Sequence, residues 1–273
     1  MTKIIDASKK SFLPDFKEIW FYKDLLYTLT WRDFRVRYAQ TTIGLFWAII
    51  QPVFTIAILH LVFGTFIAVK VPVNHLVFTV AGMSIWTYIS YVLTNSGSSI
   101  IANQAMVKKI YFPRLIIPLS KAFVGLIDLG ITLIILIVLL FYFNVNLSPN
   151  FWFAPLFILV AIFAALGAGI WLSALTVRFR DFQHVVPFLV QIGLYLSPVA
   201  YPAEFASQKL PTWAANIYYL NPVAGIIQGF RWSLFGGEFP GQMMWVSFGM
   251  VFIIFISGIW YFNKTESEMA DFV

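Results

Sequence analysis

The Lys and Arg residues of this chain are distributed unevenly around six long apolar stretches. Of the 18 Lys and Arg residues, eight lie in the first 37 residues, four in the second polar break, two in the fourth and one in the tail. The odd-numbered breaks hold only Lys70, Lys209 and Arg231. Because cytoplasmic loops concentrate Lys and Arg, this bias predicts six membrane spans with both termini in the cytoplasm.

The apolar stretches predict an all-α integral membrane protein, because a span needs about 20 apolar residues. A single charge, Asp128, lies well inside a predicted span, and a polar hairpin at 144–150 separates spans three and four. The chain is 60% hydrophobic and 11% charged, which disfavours the alternative of a soluble protein with a buried helical core. The uncharged or nearly uncharged stretches are Leu45–Val69, Val71–Val107, Ala122–Val177, Gln183–Ala200 and Met243–Phe262.

The polar segments divide the chain into three regions. We expect a cytoplasmic N-terminus at 1–43, a transmembrane domain at 44–262 and a cytoplasmic tail at 263–273. The chain has no Cys, so disulfides and thiolate metal sites are excluded. His60, His75 and His184 lie on different segments without the spacing of metal ligands, so we interpret them as packing or interfacial residues. The net charge of +6 follows from the cytoplasmic side and gives no reason to expect a nucleic-acid partner.

The segment before the first span, Tyr22–Tyr38, has the pattern of an amphipathic helix. Its apolar residues fall on one side of a helical projection, with the cations mostly outside that arc. Such a helix can lie on the membrane surface against anionic lipid, serve as a solvated lead-in, or dock a cytoplasmic partner. The residues of the apolar stripe are Tyr22, Leu25, Leu26, Leu29 and Val36.

Two cytoplasmic breaks could transmit force to a soluble motor. Gln104–Tyr111 has room for two helical turns before Pro113 and Pro118, which disfavour an uninterrupted helix. The break at Arg178–His184 is short and highly charged, and a second short helix is expected there. The alternative for both breaks is an ordinary connector that obeys the positive-inside rule.

The outer segment at 201–242 is neither a span nor a polar loop. Asn221 and Pro222 are typical of a helix start, and the helix is expected to end near Gly236. A second short helix is expected within Pro211–Leu220. Two such helices between spans five and six predict a re-entrant hairpin on the outer side, and an aromatic cap at the interface is the alternative.

Two features that the sequence lacks, a P-loop motif and a relay of acids in the spans, disfavour several classes of function. No Gly-Lys dipeptide occurs, so a P-loop ending in Gly-Lys-Ser or Gly-Lys-Thr is absent from the sequence. An ion-coupled carrier usually needs a relay of acids, and Asp128 is alone within the predicted spans. An export channel driven by a separate ATPase fits these features better than an ion-coupled carrier or a membrane enzyme.

Several strings, in order and spacing, resemble the transmembrane subunit of type-2 ABC exporters, in the class that exports polysaccharides and polyol phosphates. The similarity runs from about residue 20 to 262. The strings are Trp31–Tyr38, Thr42–Trp47 with Gln51-Pro52, Lys109–Pro118, Val177–Asp181, Ser197–Tyr201 and Asn221-Pro222 with Phe230-Arg231.

The resemblance implies a half-transporter in a bacterial inner membrane, with no cofactor in this chain. Two copies would form the pore, and two copies of a nucleotide-binding subunit would hydrolyse ATP with Mg²⁺. The exported molecule would be a glycan on a polyprenyl diphosphate, such as O-antigen, capsule or teichoic acid. The alternatives are a permease for a drug or small lipid, which shares the architecture, and a membrane scaffold or enzyme.

The resemblance also implies roles for particular residues. The N-terminal helix becomes an interface helix that contacts membrane lipid. The expected contacts with the ATPase are Gln104, Met106, Lys108, Lys109, Tyr111, Arg178, Arg180 and Asp181. The expected cations at the substrate entrance are Arg32, Arg35 and Arg37, since charge-assisted contacts to phosphate are strong. The pore candidates are Phe54, His60, Phe63, Phe188, Gln191 and Tyr195. The outer gate residues are Asn221, Pro222, Phe230 and Arg231.

Overall fold

A computed structural model describes residues 15–38, 44–205 and 220–266, together with Pro211, Tyr218 and Met269. In this described part, the regular structure is helical throughout, as expected. The expected helix within Pro211–Leu220 and most of the tail lie outside the described residues. In chain order the α-helices are α1 (Phe16–Phe21), α2 (Lys23–Tyr38), α3 (Trp47–Leu59), α4 (His75–Gly97), α5 (Ser99–Ala102), α6 (Gln104–Lys109), α7 (Ile116–Tyr142), α8 (Ala154–Arg178), α9 (Phe182–Leu196), α10 (Pro222–Phe235) and α11 (Gly241–Glu266).

Within the described residues, five helical segments are long and apolar enough to cross a bilayer, so the chain is a multi-pass membrane protein. α3 reaches that length because it continues through a π-helical stretch at His60–Phe66. The fifth predicted span corresponds to α9, which has 15 residues and therefore covers about 22 Å at 1.5 Å per residue. Since the hydrocarbon core is about 30 Å thick, α9 alone is short for a crossing. The five segments are Trp47–Phe66, His75–Gly97, Ile116–Tyr142, Pro149–Arg178 and Met244–Glu266.

α4 is the central helix of the bundle and is the most extensively buried of the five segments. It packs between α7 and α8, and α8 packs against α11 on its other side. Close packing of α8 on α11 depends on glycine, because a Cβ on Gly167 would lie 2.6 Å from the Cα of Phe255. Small residues at such contacts let membrane helices approach closely.

The two ends of the helix bundle are held together by different contacts. At one end, the backbone N–H of Ser148 donates to the carbonyl of Leu234 at 2.9 Å, so the 144–150 hairpin contacts the end of α10. At the other end, a cluster of buried apolar residues joins α2, α6, α7, α8 and α11. The buried residues of this end cluster include Leu29, Ile100, Val107, Ile116, Ile170 and Phe262.

Candidate functional site

α2 lies along the first half of α7 and is joined to it by two ion pairs. Asp33 and Arg37 are four residues apart, which puts both on one face of α2. The Asp33 carboxylate is 2.7 Å from Nζ of Lys121, and a guanidinium nitrogen of Arg37 is 2.5 Å from Oδ2 of Asp128. The Tyr38 hydroxyl donates to Oδ1 of Asp128 at 2.8 Å. We call these five residues the α2–α7 clamp.

The clamp explains how a carboxylate is held within a membrane span. The Asp128 side chain is 6% exposed, and both of its oxygens accept hydrogen bonds from α2. Arg37 also lies over the ring of Tyr91, with its guanidinium carbon 4.6 Å from the centroid. Asp128 is therefore paired with a cation from outside the spans.

The contacts of the clamp also shift the pKa values of two α2 side chains, Arg37 and Tyr38. Burial lowers the pKa of Arg37, but the charge and hydrogen bond of Asp128 outweigh it, so that the pKa is raised overall. Burial, reinforced by Asp128, raises the pKa of Tyr38 as well. Both groups keep their protons at neutral pH, so α2 presents one cation and one hydroxyl donor to Asp128.

The three arginines proposed for the substrate entrance have different surroundings. Arg37 belongs to the clamp, and Arg32 bonds to the carboxylate of Asp33 and to Oδ1 of Asn103, both at 2.9 Å. Arg35 is exposed. Two of the three cations thus already bond to side chains of this chain, and the entrance role of all three stays a prediction.

The apolar stripe of α2 packs on this chain's own end cluster. Leu29 is buried, and Tyr22, Leu25 and Leu26 pack against the same cluster. Val36, the last residue of the expected stripe, is 65% exposed and does not pack on the end cluster, so its contact with lipid stays a prediction. The buried part of the stripe is therefore covered by protein, which removes it from contact with lipid.

α6 is a short helix with one side packed on the end cluster and one exposed polar side. Val107 is buried and Met106 packs beside it, whereas Gln104, Lys108 and Lys109 are exposed. The predicted two turns were too long, because the helix ends at Lys109 and the next residue is extended.

The chain that follows α6 is held from two sides. The exposed Tyr111 accepts a hydrogen bond from the Tyr22 hydroxyl through its carbonyl, at 3.4 Å. The backbone N–H of Arg114 donates to Oε1 of Glu266 at 3.0 Å, and the Arg114 side chain donates to the Glu266 carbonyl. A force applied at α6 would reach α2, α7 and the end of α11.

The connector between α8 and α9 is a turn, so the expectation of a short helix there was wrong. Only Phe179–Asp181 separates α8 from α9, because Arg178 ends one helix and Phe182 begins the next. Arg178, Arg180 and Asp181 are exposed and can contact a partner without a helix of their own. A cluster of charges in a break indicates exposure but does not specify helical structure.

The comparison with known proteins identifies the family. A family model described as "ABC-2 type transporter" matches residues 24–235, from the start of α2 to the end of α10. The chain belongs to the ABC-2 type transporter family. This ABC-2 type transporter is 28% identical over 249 residues to a Klebsiella pneumoniae protein named "O-antigen export system permease protein RfbA". The alignment covers 91% of this chain and 94% of that protein. A Myxococcus xanthus protein of the same name is 22% identical over 256 residues, covering 93% of this chain and 97% of the relative.

The four residues expected at the outer gate of this ABC-2 type transporter contact other segments of the chain or its core. Asn221 caps α10 by accepting from the Val223 N–H, and its amide donates to Oγ of Ser197, both at 3.0 Å. Pro222 is the first helical residue, as predicted, and Phe230 is buried in the core. These contacts tie α10 to the chain that leaves α9, and a gating role stays a prediction.

Arg231 joins α10 to other segments of the chain through several hydrogen bonds. It is 5% exposed and donates to the carbonyls of Phe78 and Pro198, at 2.9 and 2.6 Å, and to that of Val199. Its guanidinium carbon also lies 3.5 Å from the Phe78 ring centroid. One buried cation thus joins α10, α4 and the segment after α9. One signal for it was present in the sequence, since Arg231 is one of the three Lys and Arg residues in the odd-numbered polar breaks.

The pore candidates fall into two groups. Phe54 on α3 and Phe188, Gln191 and Tyr195 on α9 are exposed, so they are free to face a pore or a second subunit. His60 and Phe63 lie in the π-helical stretch and contact other segments of this chain. Nδ1 of His60 is 3.1 Å from Nδ1 of His75, and the Phe63 ring centroid is 5.5 Å from that of Tyr201.

Two of the contacts between side chains were not predicted from the sequence. Arg37 and Asp128 are 91 residues apart in the chain, and each looked like a separate candidate. His60 and His75 were placed on different segments, but the turn between α3 and α4 brings their rings together. An isolated charge in a span is the one local signal that a partner is needed.

Proposed function

We propose that this chain is the membrane-spanning half of an ATP-driven exporter for a lipid-linked polysaccharide similar to O-antigen. The observation that carries the proposal is the similarity to permeases named for O-antigen export along more than nine-tenths of this chain. The family match supports transport independently of the substrate. The sequence also lacks the Gly-Lys pair of a P-loop.

The energy source in this proposal is a separate nucleotide-binding subunit that holds ATP and Mg²⁺. α6 is suited to contact it, because Val107 anchors the helix while Lys108 and Lys109 remain exposed. Arg178, Arg180 and Asp181 supply a second exposed charged surface at the turn between α8 and α9. We infer that two copies of the ATPase bind at these surfaces.

The pore in this proposal forms between two copies of the chain. α3 has the least buried apolar segment of the five, and α9 is also widely exposed. Phe54, Phe188 and Tyr195 are each more than half exposed, so a second copy would cover apolar surface or leave aromatic faces along a pore. We expect α9 with its flanking residues to complete a sixth crossing. Both termini would then be cytoplasmic, in a bacterial inner membrane.

The substrate in this proposal is a glycan on a polyprenyl diphosphate. Arg35 is exposed, and the Arg32 and Arg37 side chains lie near it at the start of the spans. These cations would attract the diphosphate. The second candidate is a drug or small-lipid exporter, which the family match alone also allows. Genes for glycosyltransferases beside that of this chain would favour the glycan.

A co-purification experiment tests the proposal. The chain is expressed with the ATPase encoded beside it, and the purified complex is assayed with lipid-linked glycan extracted from the same cells. We expect a complex of two chains and two ATPases whose ATP hydrolysis rises with the glycan. A complex stimulated only by small lipids would favour the second candidate, and ATP hydrolysis by this chain alone would reject the half-transporter.

A further inference from the structure

α4 carries a polar stripe that faces a cavity inside the membrane domain. The cavity has a volume of about 520 Å³ and lies between α3, α4, α7 and α9. Positions three, four, seven and eight residues apart share one face of a helix, and the cavity residues of α4 have this spacing. These residues are Met83, Trp86, Thr87, Ser90, Tyr91, Thr94 and Asn95.

The polar groups of this stripe keep acceptors available to a ligand. The Ser90 hydroxyl donates to the Thr87 carbonyl at 3.1 Å, and the Asn95 amide donates to the Tyr91 carbonyl at 2.8 Å. Among the described residues, no donor bonds to the side-chain oxygens of Ser90 and Asn95, so these oxygens keep lone pairs for a ligand. The Thr94 hydroxyl makes no side-chain hydrogen bond within the described part of the chain.

The remaining walls give the cavity a defined chemistry. α3 contributes Gln51 and Thr55, and the Arg37–Asp128 ion pair lies at one end. Because these two charges compensate each other, the cavity is electrically neutral overall. Trp86 adds an aromatic wall, and α9 contributes Val190 and Leu194.

We propose that this cavity is a binding site for sugar units of the exported glycan, one in each copy of the chain. Sugar hydroxyls can donate to the free oxygens of Ser90, Thr94 and Asn95, and the apolar face of a sugar ring can lie on Trp86. The volume falls within the range of small-molecule sites, about 300 to 1,000 Å³. The inference rests on the proposed function, because the sugar is taken to be part of the transported molecule.

Other ligands fit the lining less well. A hydrocarbon chain would leave the half-buried polar groups of Ser90, Thr94 and Asn95 without a partner, which costs affinity. A free cation would meet the charge of Arg37, and a phosphate would have to displace Asp128 from its 2.5 Å contact. A neutral ligand with many hydroxyl groups satisfies the lining without breaking the ion pair.

Matched variants test the site in the complex with its ATPase. Ser90→Ala with Thr94→Val removes two hydroxyls from the cavity, and Ser84→Ala removes one that donates to the Val80 carbonyl at 3.0 Å in the core of the same helix. We expect the double variant to raise the glycan concentration for half-maximal ATPase stimulation roughly tenfold, since one hydrogen bond is worth about two- to tenfold. Ser84→Ala should leave it unchanged. Equal effects of the two variants would overturn the site.

Cysteine labelling gives a readout that does not depend on turnover. The chain has no natural Cys, so Ser90→Cys supplies a single thiol in the cavity and Ile134→Cys supplies one on the exposed apolar face of α7. A small water-soluble thiol reagent should label Ser90→Cys but not Ile134→Cys. Glycan released by mild acid from the lipid-linked pool should slow that labelling, whereas polyethylene glycol of similar size should not.

The outcomes separate this inference from the proposed function. Labelling without protection by glycan would mean that the cavity holds water only, and absence of labelling would mean that it is closed, so either result overturns the site. If the same complex still moves lipid-linked glycan with ATP, the proposed function survives that result. Protection together with transport supports both.

Discussion

The α2–α7 clamp gives the most quantitative prediction, because Asp128 has one main charge partner. Breaking a fully buried pair costs about 3 to 5 kcal/mol, whereas an exposed pair contributes about 0 to 1 kcal/mol. The Asp128 side chain is 6% exposed and that of Arg37 is 33% exposed, so this pair lies between the two cases. We expect Asp128→Asn to lower the free energy of unfolding by about 2 kcal/mol.

A double-mutant cycle isolates the ion pair from the hydrogen bond of Tyr38. Asp128→Asn keeps an oxygen that can accept from Tyr38 and removes the charge, and Arg37→Gln removes the opposite charge. The two single variants and the double variant should give a coupling energy of about 2 kcal/mol, because the second substitution no longer leaves a buried charge unpaired.

The assay is unfolding in mixed detergent micelles, followed by tryptophan fluorescence. Arg35→Gln is the matched control, because Arg35 lies on the same helix and is exposed. It should change the unfolding free energy by less than about 0.5 kcal/mol. A coupling energy below about 0.5 kcal/mol, or an equal loss in Arg35→Gln, would refute the clamp as a stabilising contact.

Three further predictions address topology, coupling and packing. Asn146→Cys should react with an impermeant thiol reagent in intact cells and Lys109→Cys should not, since the charge bias places them on opposite sides; the reverse pattern would contradict the orientation. Lys108→Glu with Lys109→Glu should uncouple ATP hydrolysis from export in a correctly inserted complex, and normal export would argue against α6 as the coupling contact. Gly229→Ala should destabilise the chain by about 1 to 3 kcal/mol, because its Cβ would overlap a buried ring. Gly249→Ala has open space and is the control; equal stability of the two would refute the packing argument.

Local signals predicted much of the fold. The polar hairpin at 144–150 does separate two long helices, since α7 ends at Tyr142 and the next helical segment begins at Pro149. α10 begins at Pro222 with Asn221 as its cap and ends just before Gly236, whose φ is +75°. Each of these features depends on neighbours in sequence, so a single chain contains enough information to predict it.

Contacts between distant segments could not be predicted in this way. Helical periodicity shows which face of α2 is apolar, but it does not say that Arg37 will meet Asp128 or that Arg32 will meet Asn103. The polar face of α4 was also not predicted from the sequence, for a related reason. A hydroxyl that donates to its own helix is compatible with an apolar span, so Ser90 did not interrupt the uncharged stretch.

Transport in sealed vesicles tests most directly whether this chain and its ATPase export a lipid-linked glycan. The chain and its ATPase are reconstituted with the nucleotide-binding subunits outside, and lipid-linked glycan is added to the outer leaflet. We expect the glycan to become protected from an external glycosidase only when ATP and Mg²⁺ are present, and vesicles with either protein alone should show no protection. Protection without ATP, or an active ATPase complex that never protects the glycan, would contradict the proposed export.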